Sequence, residues 1–446
     1  MRCSRRFSAL VIGMLLCVLH IAVVFAQEGG DDESVPAAAP SIITSFAVFG
    51  NELTKPEIIL RELTVRVGDS IDVREIEYSR NRIYSLGLFN RVDITWPPLD
   101  STIVLIEVDE RWFLYPVPMA GIVERNWDNW YYGLGVKHDN FRGRNEKLFA
   151  GFVLGYNPWV SLSYVNPWIL GESQMFMETS FAWSRVVNKS MRSQGEGPNF
   201  HEIHYRVYDA IGKRLDQFRS VWLTATFDYV EVTEKRTGRT LSESGIDRYL
   251  SIGIGAKHDT RNLAEYPTEG VFSFVNITKK GVGFGPVDMT TWAADARVYK
   301  NLYKGVSLAT RVFAKLNSGP AVPNYQHVYF GYSERIRGHF NQEVEGENLA
   351  GGFAELRLPI VPHVYVHIPE VPIRQFATWR LGLYAAVFAD AGLVWDRKQR
   401  PDWAGLSRGI GAGLHVLLPY GTVFRIDRAW NEHGAGEWIF DLGASF

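Results

Sequence analysis

The sequence predicts a mainly β protein: an antiparallel transmembrane β-barrel of about 16 strands behind one small α+β module. Three observations carry that expectation. Residues 437–446 alternate apolar and polar side chains and end on the aromatic Phe446. From Trp112 onward the same period-two pattern recurs with turn residues between the runs. Hydrophobic residues make up 46% of the chain, yet the mean hydropathy is only -0.10, as expected when strands present apolar groups to lipid at every second position.

The amino terminus reads as an export signal over residues 1–26. Arg2, Arg5 and Arg6 form its positive end, 7–25 its apolar core, and Val24-Phe25-Ala26 a cleavage site after Ala26. An uncleaved anchor is the alternative, because the apolar run approaches spanning length. Cys3 and Cys17 both lie in this segment, and Leu15-Leu16 before Cys17 speaks against a lipid attachment site. Cleavage would leave a chain without disulfide, thiolate metal site or cysteine nucleophile. Residues 27–41 are acidic, small and Pro-containing, the composition of a flexible linker.

Residues 42–110 have the texture of a β-α-α-β-β module. A strand over 42–49 and a Gly50-Asn51 turn lead to a helix that Thr54 caps ahead of Pro56-Glu57. Asp72 and Glu75 open a second helix, with Val73, Ile76 and Ile83 near one face and Gly87 as its left-handed terminator. Strands over 88–96 and 102–108, joined through Pro97-Pro98, complete it.

Residues 111–446 then form the barrel. Tyr132, Leu134 and Val136 alternate with Gly133, Gly135 and Lys137, and Leu250, Ile252 and Ile254 with Ser251, Gly253 and Gly255. Leu308, Thr310, Val312 and Ala314 alternate with Ser307, Ala309, Arg311 and Lys315, and Ile410, Ala412 and Leu414 with Gly409, Gly411 and Gly413. Every strand edge at membrane depth needs a partner, so the pattern predicts a closed barrel. Trp159, Trp168, Tyr299, Tyr303 and Trp438 are candidates for aromatic girdles. In the last strand Trp438, Phe440, Leu442, Ala444 and Phe446 form the expected lipid row, with Ile439, Asp441, Gly443 and Ser445 inward.

Several motifs resemble the BamA/TamA-type outer-membrane assembly and transport superfamily. Phe49-Gly50-Asn51 and Leu86-Gly87-Leu88-Phe89-Asn90-Arg91-Val92 are similar to its POTRA domain. Asp259-Thr260-Arg261-Asn262 followed by Tyr266-Pro267-Thr268-Glu269-Gly270 is similar to its D-x-R-D…Y-P-T-x-G segment, with Asn262 in place of the second acid. Ile336-Arg337-Gly338-His339 resembles the V/I-R-G-F/Y motif of its sixth extracellular loop, with His339 where an aromatic is usual. Phe388-Ala389-Asp390-Ala391-Gly392 resembles its F-x-D-x-G strand, and Glu355 and Arg357 its E-x-R strand.

The resemblance implies that Arg337 folds into the lumen and pairs with Asp390. Parity agrees: Phe388, Ala386 and Tyr384 share the face of Asp390, and the aliphatic Ala389, Val387, Ala385, Leu383 and Leu381 the other. It further implies an outer-membrane protein with a periplasmic amino-terminal domain. Such a protein inserts or translocates polypeptide clients by strand augmentation at the POTRA edge and the barrel seam, without covalent chemistry. Outer-membrane lipid, extended clients and periplasmic or lipoprotein accessory factors would be its partners.

The chemistry-bearing signatures are missing: no G-x-S-x-G, H-E-x-x-H or phosphate-binding loop is present, so no catalytic residue, cofactor or metal is expected. His363 and His367 would suit a metal on a helix, but Val364-Tyr365-Val366 between them favours a strand. A formal net charge of -2 gives nucleic acid no basic patch. The alternative is a passive outer-membrane pore or structural barrel with Lys257, Arg311 and Lys315 setting ion selectivity. Gly434, Gly436, Gly443 and the glycines of 409–413 fit either a labile last seam or a crowded lumen.

Overall fold

Alternation along the second part of the chain becomes one sheet because each strand can pair with the next through a short turn. In a computed structural model, which describes residues 42–446 except 97–101, 124–126, 191, 193–199, 237 and 445, sixteen antiparallel strands follow one another in sheet order. They run from β4 (Leu114–Ile122) and β5 (Trp130–Phe141) to β20 (Thr422–Asn431) and β21 (Gly436–Leu442). The expected export signal and linker, and Pro97-Pro98, lie outside the described residues. Among the described residues no helix is long and apolar enough to cross a membrane, which says nothing of strands.

The amino-terminal module comprises β1 (Ser45–Phe49), α1 (Pro56–Leu60), α2 (Val73–Ser85), β2 (Phe89–Thr95) and β3 (Ile103–Glu110). Its sheet runs β1-β3-β2, with β1 parallel to β3. Asp72 caps α2 by accepting from the Arg74 N–H (2.9 Å), and Gly87 takes a positive φ of 75° beyond the helix end. Two expectations fail here. Lys55, not Thr54, is the cap of α1, and Thr54 instead accepts from Asn140 of the barrel through its hydroxyl (2.8 Å). Val73 is exposed because the first turn of α2 projects past the core, whereas Ile76 and Ile83 are buried with Ile59, Leu88 and Ile106.

The module sits on one mouth of the barrel, held by several interstrand turns. Lys55 N–H donates to the Gly143 carbonyl (3.0 Å), Arg82 to the Gln217 carbonyl (3.0 Å), Tyr78 to the Thr260 carbonyl (2.9 Å) and Asn90 to the Gln375 carbonyl (2.6 Å). Leu263, on the turn between β11 (Ile246–Asp259) and β12 (Gly270–Lys280), is buried within the module's own hydrophobic core.

The opposite mouth is occupied by residues 319–347. They connect β14 (Val306–Ser318) to β17 (Asn348–His367) and contain a short hairpin of β15 (Val328–Phe330) and β16 (Val344–Gly346). β17 pairs in turn with β18 (Thr378–Trp395), and β18 with β19 (Ser407–Leu418). His363 and His367 lie in β17, on a strand.

The expected closure is not made: among the described residues β4 and β21 stand at the two ends of the sheet with no ladder between them. Both are short, nine and seven residues against twenty in β17, so little edge is available to join them. The last strand also departs from its expected row. Trp438, Phe440 and Leu442 are 60, 65 and 68% exposed on the outer face, but Phe446 is only 7% exposed and lies in the lumen. Gly443 adopts a φ of 113°, which ends β21 and turns the tail inward, and Ala444 packs against the luminal Tyr266 cluster. Ser445 lies outside the described residues. Tyr299, a girdle candidate, is luminal as well, and its hydroxyl donates to the Phe446 carbonyl (3.2 Å). Leu381 and Leu383, expected to meet lipid, are covered where the β17 register shifts twice between Pro359 and Val364; Val387 on the same face is exposed.

Candidate functional site

Strand parity and one long loop bring the charged motifs together inside the barrel. In β18, Asp390 is inward and in register with Phe353 of β17 and Gly409 of β19. Glu355 and Arg357 lie on the same inward row of β17 and are fully buried. The loop then lowers Arg337 onto them from above. Arg337 Nε and Nη2 donate to the two oxygens of Asp390 (2.7 and 2.8 Å), and Nη1 donates to Glu355 (2.5 Å). The guanidinium plane also stacks 3.6 Å over the Phe388 ring, a fit that a lysine ammonium could not reproduce.

Glycine makes this approach possible. A Cβ on Gly409 would fall 1.5 Å from the Arg337 carbonyl oxygen, and one on Gly392 about 2.6 Å from Ile336 Cδ1. Gly411 and Gly413 likewise leave room for the Phe388 ring and the Asp427 carboxylate. Of the two readings of this glycine run, the crowded lumen is the one the geometry supports.

The network continues past the motifs that predicted it. Glu355 also accepts from Arg357 Nε (2.8 Å), and Arg357 donates to the Pro267 carbonyl (2.8 Å) while its guanidinium lies 4.2 Å over the Tyr266 ring. The Tyr266 hydroxyl is 2.9 Å from His415 Nδ1, and His415 Nε2 is 3.4 Å from Asp427. Arg425 donates to Asp427 (3.1 Å), to Asp441 of β21 (2.7 Å) and to the Gly443 carbonyl (2.9 Å) at the kink. A continuous path of buried polar contacts therefore links the loop tip to the point where the last strand turns inward. Each buried charge on it faces a charge of opposite sign, the condition under which burial is tolerated.

The loop tip also holds the other end of β21. Gly338 and Phe340 N–H both donate to Glu437 (2.9 and 2.8 Å), and His339 Nε2 lies 2.7 Å from Glu432 in the turn before β21. His339 thus fills with an ion pair the place where an aromatic was expected. Burial alone would lower the imidazole pKa, but the contacts with Glu432 and Gln342 raise it overall. Burial likewise acts to raise the Glu432 carboxyl, but the His339 contact and backbone N–H donors hold it down at about 2.

Sequence reasoning assigned no role to Glu437, Glu432, His415, Asp427 or Arg425. Glu437 was within reach, since it shares the inward parity of Ile439 and Asp441; the others needed the tertiary contact. Of the pore cations, Arg311 is tied to Asp295 and Glu334 (2.8 and 2.9 Å).

A family model described as the Omp85 superfamily domain matches residues 140–446, which covers the loop motif, its partner strand and the last strand. The chain belongs to the Omp85 superfamily. A second model, POTRA (surface antigen variable number repeat), matches residues 41–111. This Omp85 chain is 22% identical over 440 residues to the outer membrane protein assembly factor BamA of Nitratidesulfovibrio vulgaris, covering 91% of this chain and 51% of the relative. It is 23% identical over 424 residues to the chloroplastic outer envelope protein 80 of Oryza sativa subsp. japonica, covering 87% and 59%. The chain thus spans only half to three-fifths of the length of these curated relatives.

Among solved structures the fold resembles Haemophilus ducreyi BamA lacking POTRA domains 1–3. The TM-score is 0.54 at 15% identity, over 92% of this chain and 85% of that one. It also resembles CdiB from Escherichia coli, with a TM-score of 0.50 at 10% identity, over 92% and 90%. The Omp85 fold places the sixteen strands in the bacterial outer membrane and the POTRA module in the periplasm. The family is one of assembly and transport proteins rather than known enzymes.

Proposed function

We propose that this Omp85 protein mediates insertion or translocation of polypeptide clients at the outer membrane by lending its strand edges, with no covalent step. The observation that carries the reading is the open seam: a sixteen-strand sheet at membrane depth whose two end strands share no ladder among the described residues. An unpaired edge in hydrocarbon is costly, and an extended client strand satisfies it. Similarity to a relative named as an assembly factor supports the same reading. The outer edge of β1 in the module offers a second, periplasmic edge, because among the described residues β1 pairs on one side only, with β3. Arg337, Asp390, Glu355 and Arg357 serve as a brace that sets the position of β21, and the aromatic end of the chain is its own targeting strand for assembly.

A passive pore is the competing outcome. The full chain in liposomes of phosphatidylethanolamine and phosphatidylglycerol should accelerate folding of a urea-unfolded outer-membrane barrel and show no steady conductance. Steady conductance of small solutes without any acceleration of client folding overturns the proposal in favour of the pore.

A further inference from the structure

Positive charge gathers where the amino-terminal module meets the inner wall of the barrel. The module supplies Glu62, just past α1, and Arg82 of α2. The barrel supplies Glu178 of β8 (Met175–Val187), Arg214 at the end of β9 (His201–Arg214) and Lys257 of β11. All three lie on inward rows, since Phe181, Ile211 and Ile254 of the opposite parity are exposed on the outer face. Together these five residues line a cavity of about 400 Å³, a size that suits a small molecule.

Glu62 is buried and serves three arginines at once. Arg82 Nη2 and Arg214 Nη1 donate to it (2.7 and 3.4 Å), and Arg61 Nε lies 3.7 Å away. The Arg61 and Arg214 guanidiniums also share the Trp168 ring, 4.9 and 5.9 Å from its centroid. Arg82 Nε and Arg61 Nε and Nη2 are buried without an acceptor among the described residues. Burial, and next the charge of Arg214, lower the Arg61 pKa to about 10. Lys257 adds a fourth cation: its neighbour Asp259 is held through both oxygens by Arg261 (2.8 and 2.9 Å). Arg219 and Asp216 on the rim likewise pair with each other (2.6 Å) and leave the balance unchanged. Arg61, Arg82, Arg214 and Lys257 thus face only Glu62 and Glu178, a surplus of two positive charges in a partly buried place, where uncompensated charge is costly.

We propose that this junction binds a phosphomonoester. Such a group carries about -1.5 to -2 charges at pH 7, which offsets the surplus. The guanidinium forks of Arg82 and Arg214 match phosphate oxygens, and Lys257 contributes a point charge. Leu86, Pro167 and Phe176 give the same cavity an apolar side for the organic part of the ester. Because Arg82 belongs to the module and Arg214 and Lys257 to the barrel, the bound phosphate ties one to the other. Two carriers present this group: a soluble ester, and the headgroup of phosphatidic acid.

Protection of Lys257 from acetylation tests the site and separates the carriers. The full chain in phosphatidylcholine nanodiscs is given a brief pulse of a water-soluble acetylating reagent, and each lysine is read by mass spectrometry. Glycerol 3-phosphate added at constant ionic strength should protect Lys257 saturably and leave Lys315, an inward lysine of β14 outside this cavity, unprotected. Arg214 makes one long contact with Glu62, so Arg214→Gln should keep the strand ladders intact. It should raise the half-protecting concentration about ten-fold or more, the scale of one lost charge-assisted contact, and Arg214→Lys should raise it less. Protection that appears only in nanodiscs containing phosphatidic acid upholds the site and assigns the lipid as carrier. Absence of protection with either carrier overturns the proposal, as does protection that Arg214→Gln leaves unchanged or that extends equally to Lys315.

Discussion

The β17–β18 hairpin and the β4–β21 seam belong to one sheet and are written in the same alternating code, yet they are held in opposite ways. β17 and β18 are paired from Asn348↔Trp395 to His367↔Thr378, and their inward face carries Glu355, Arg357 and Asp390 locked onto Arg337. β4 and β21 share no ladder among the described residues. Where side chains lock to one another, the strands need no further guidance; at the seam, position is imposed from inside. Glu437, Asp441 and Gly443 of the last strand are all gripped by the luminal path.

The largest effect should come from breaking the rigid side. Arg337→Ala leaves Asp390 buried without its cation and Glu355 with Arg357 alone, a loss of about 3–5 kcal/mol for a broken buried pair. The barrel should remain heat-modifiable on gels, because the ladders are intact, while residues 319–347 become protease-sensitive and client folding falls. Unchanged client folding would separate the brace from function. Arg337→Lys should recover only part of the loss, since an ammonium cannot span both Asp390 oxygens and stack on Phe388.

A smaller effect is expected at the tail. Tyr299→Phe removes one hydrogen bond to the Phe446 carbonyl, worth about 1 kcal/mol. Faster carboxypeptidase trimming of the end, with an unchanged melting temperature of the barrel, is the outcome that fits a tail held locally in the lumen.

These contacts also show what could be read before the fold was known. Alternation identified the strands and put Asp390, Glu355 and Arg357 on one side, because parity survives any uncertainty in register. It failed at Phe446 because a single positive φ at Gly443 breaks parity, and nothing in the alternation of 437–446 marks that residue as a turn. Thr54 carries a capping residue's chemistry, but its hydroxyl meets Asn140, 86 residues away, and such a partner is invisible to local pattern. The glycines of 409–413 could be noticed but not interpreted until Arg337, Phe388 and Asp427 were seen lying against them.

The smallest effect is one of pH. The His339 pKa is raised in the folded chain, so its contribution is complete below the ordinary histidine value and is lost as pH rises through the folded value. Glu432 is depressed to about 2, so its contribution is present above the ordinary carboxylate range and lost only as pH falls towards 2. The pair should grip the loop tip most firmly in mildly acidic solution and loosen between neutral and alkaline pH. A nitroxide at Asn341→Cys should gain mobility over that range, and His339→Gln should abolish the change.

The seam itself gives the most direct measurement. Ala120→Cys and Phe440→Cys in the Cys3→Ser, Cys17→Ser chain can be joined across the gap by a flexible, disulfide-containing bismaleimide, and client folding followed before and after reduction. Locking the two end strands together should abolish the acceleration, and cleaving the linker should restore it. Full acceleration with the seam locked would contradict a client pathway through the open edge.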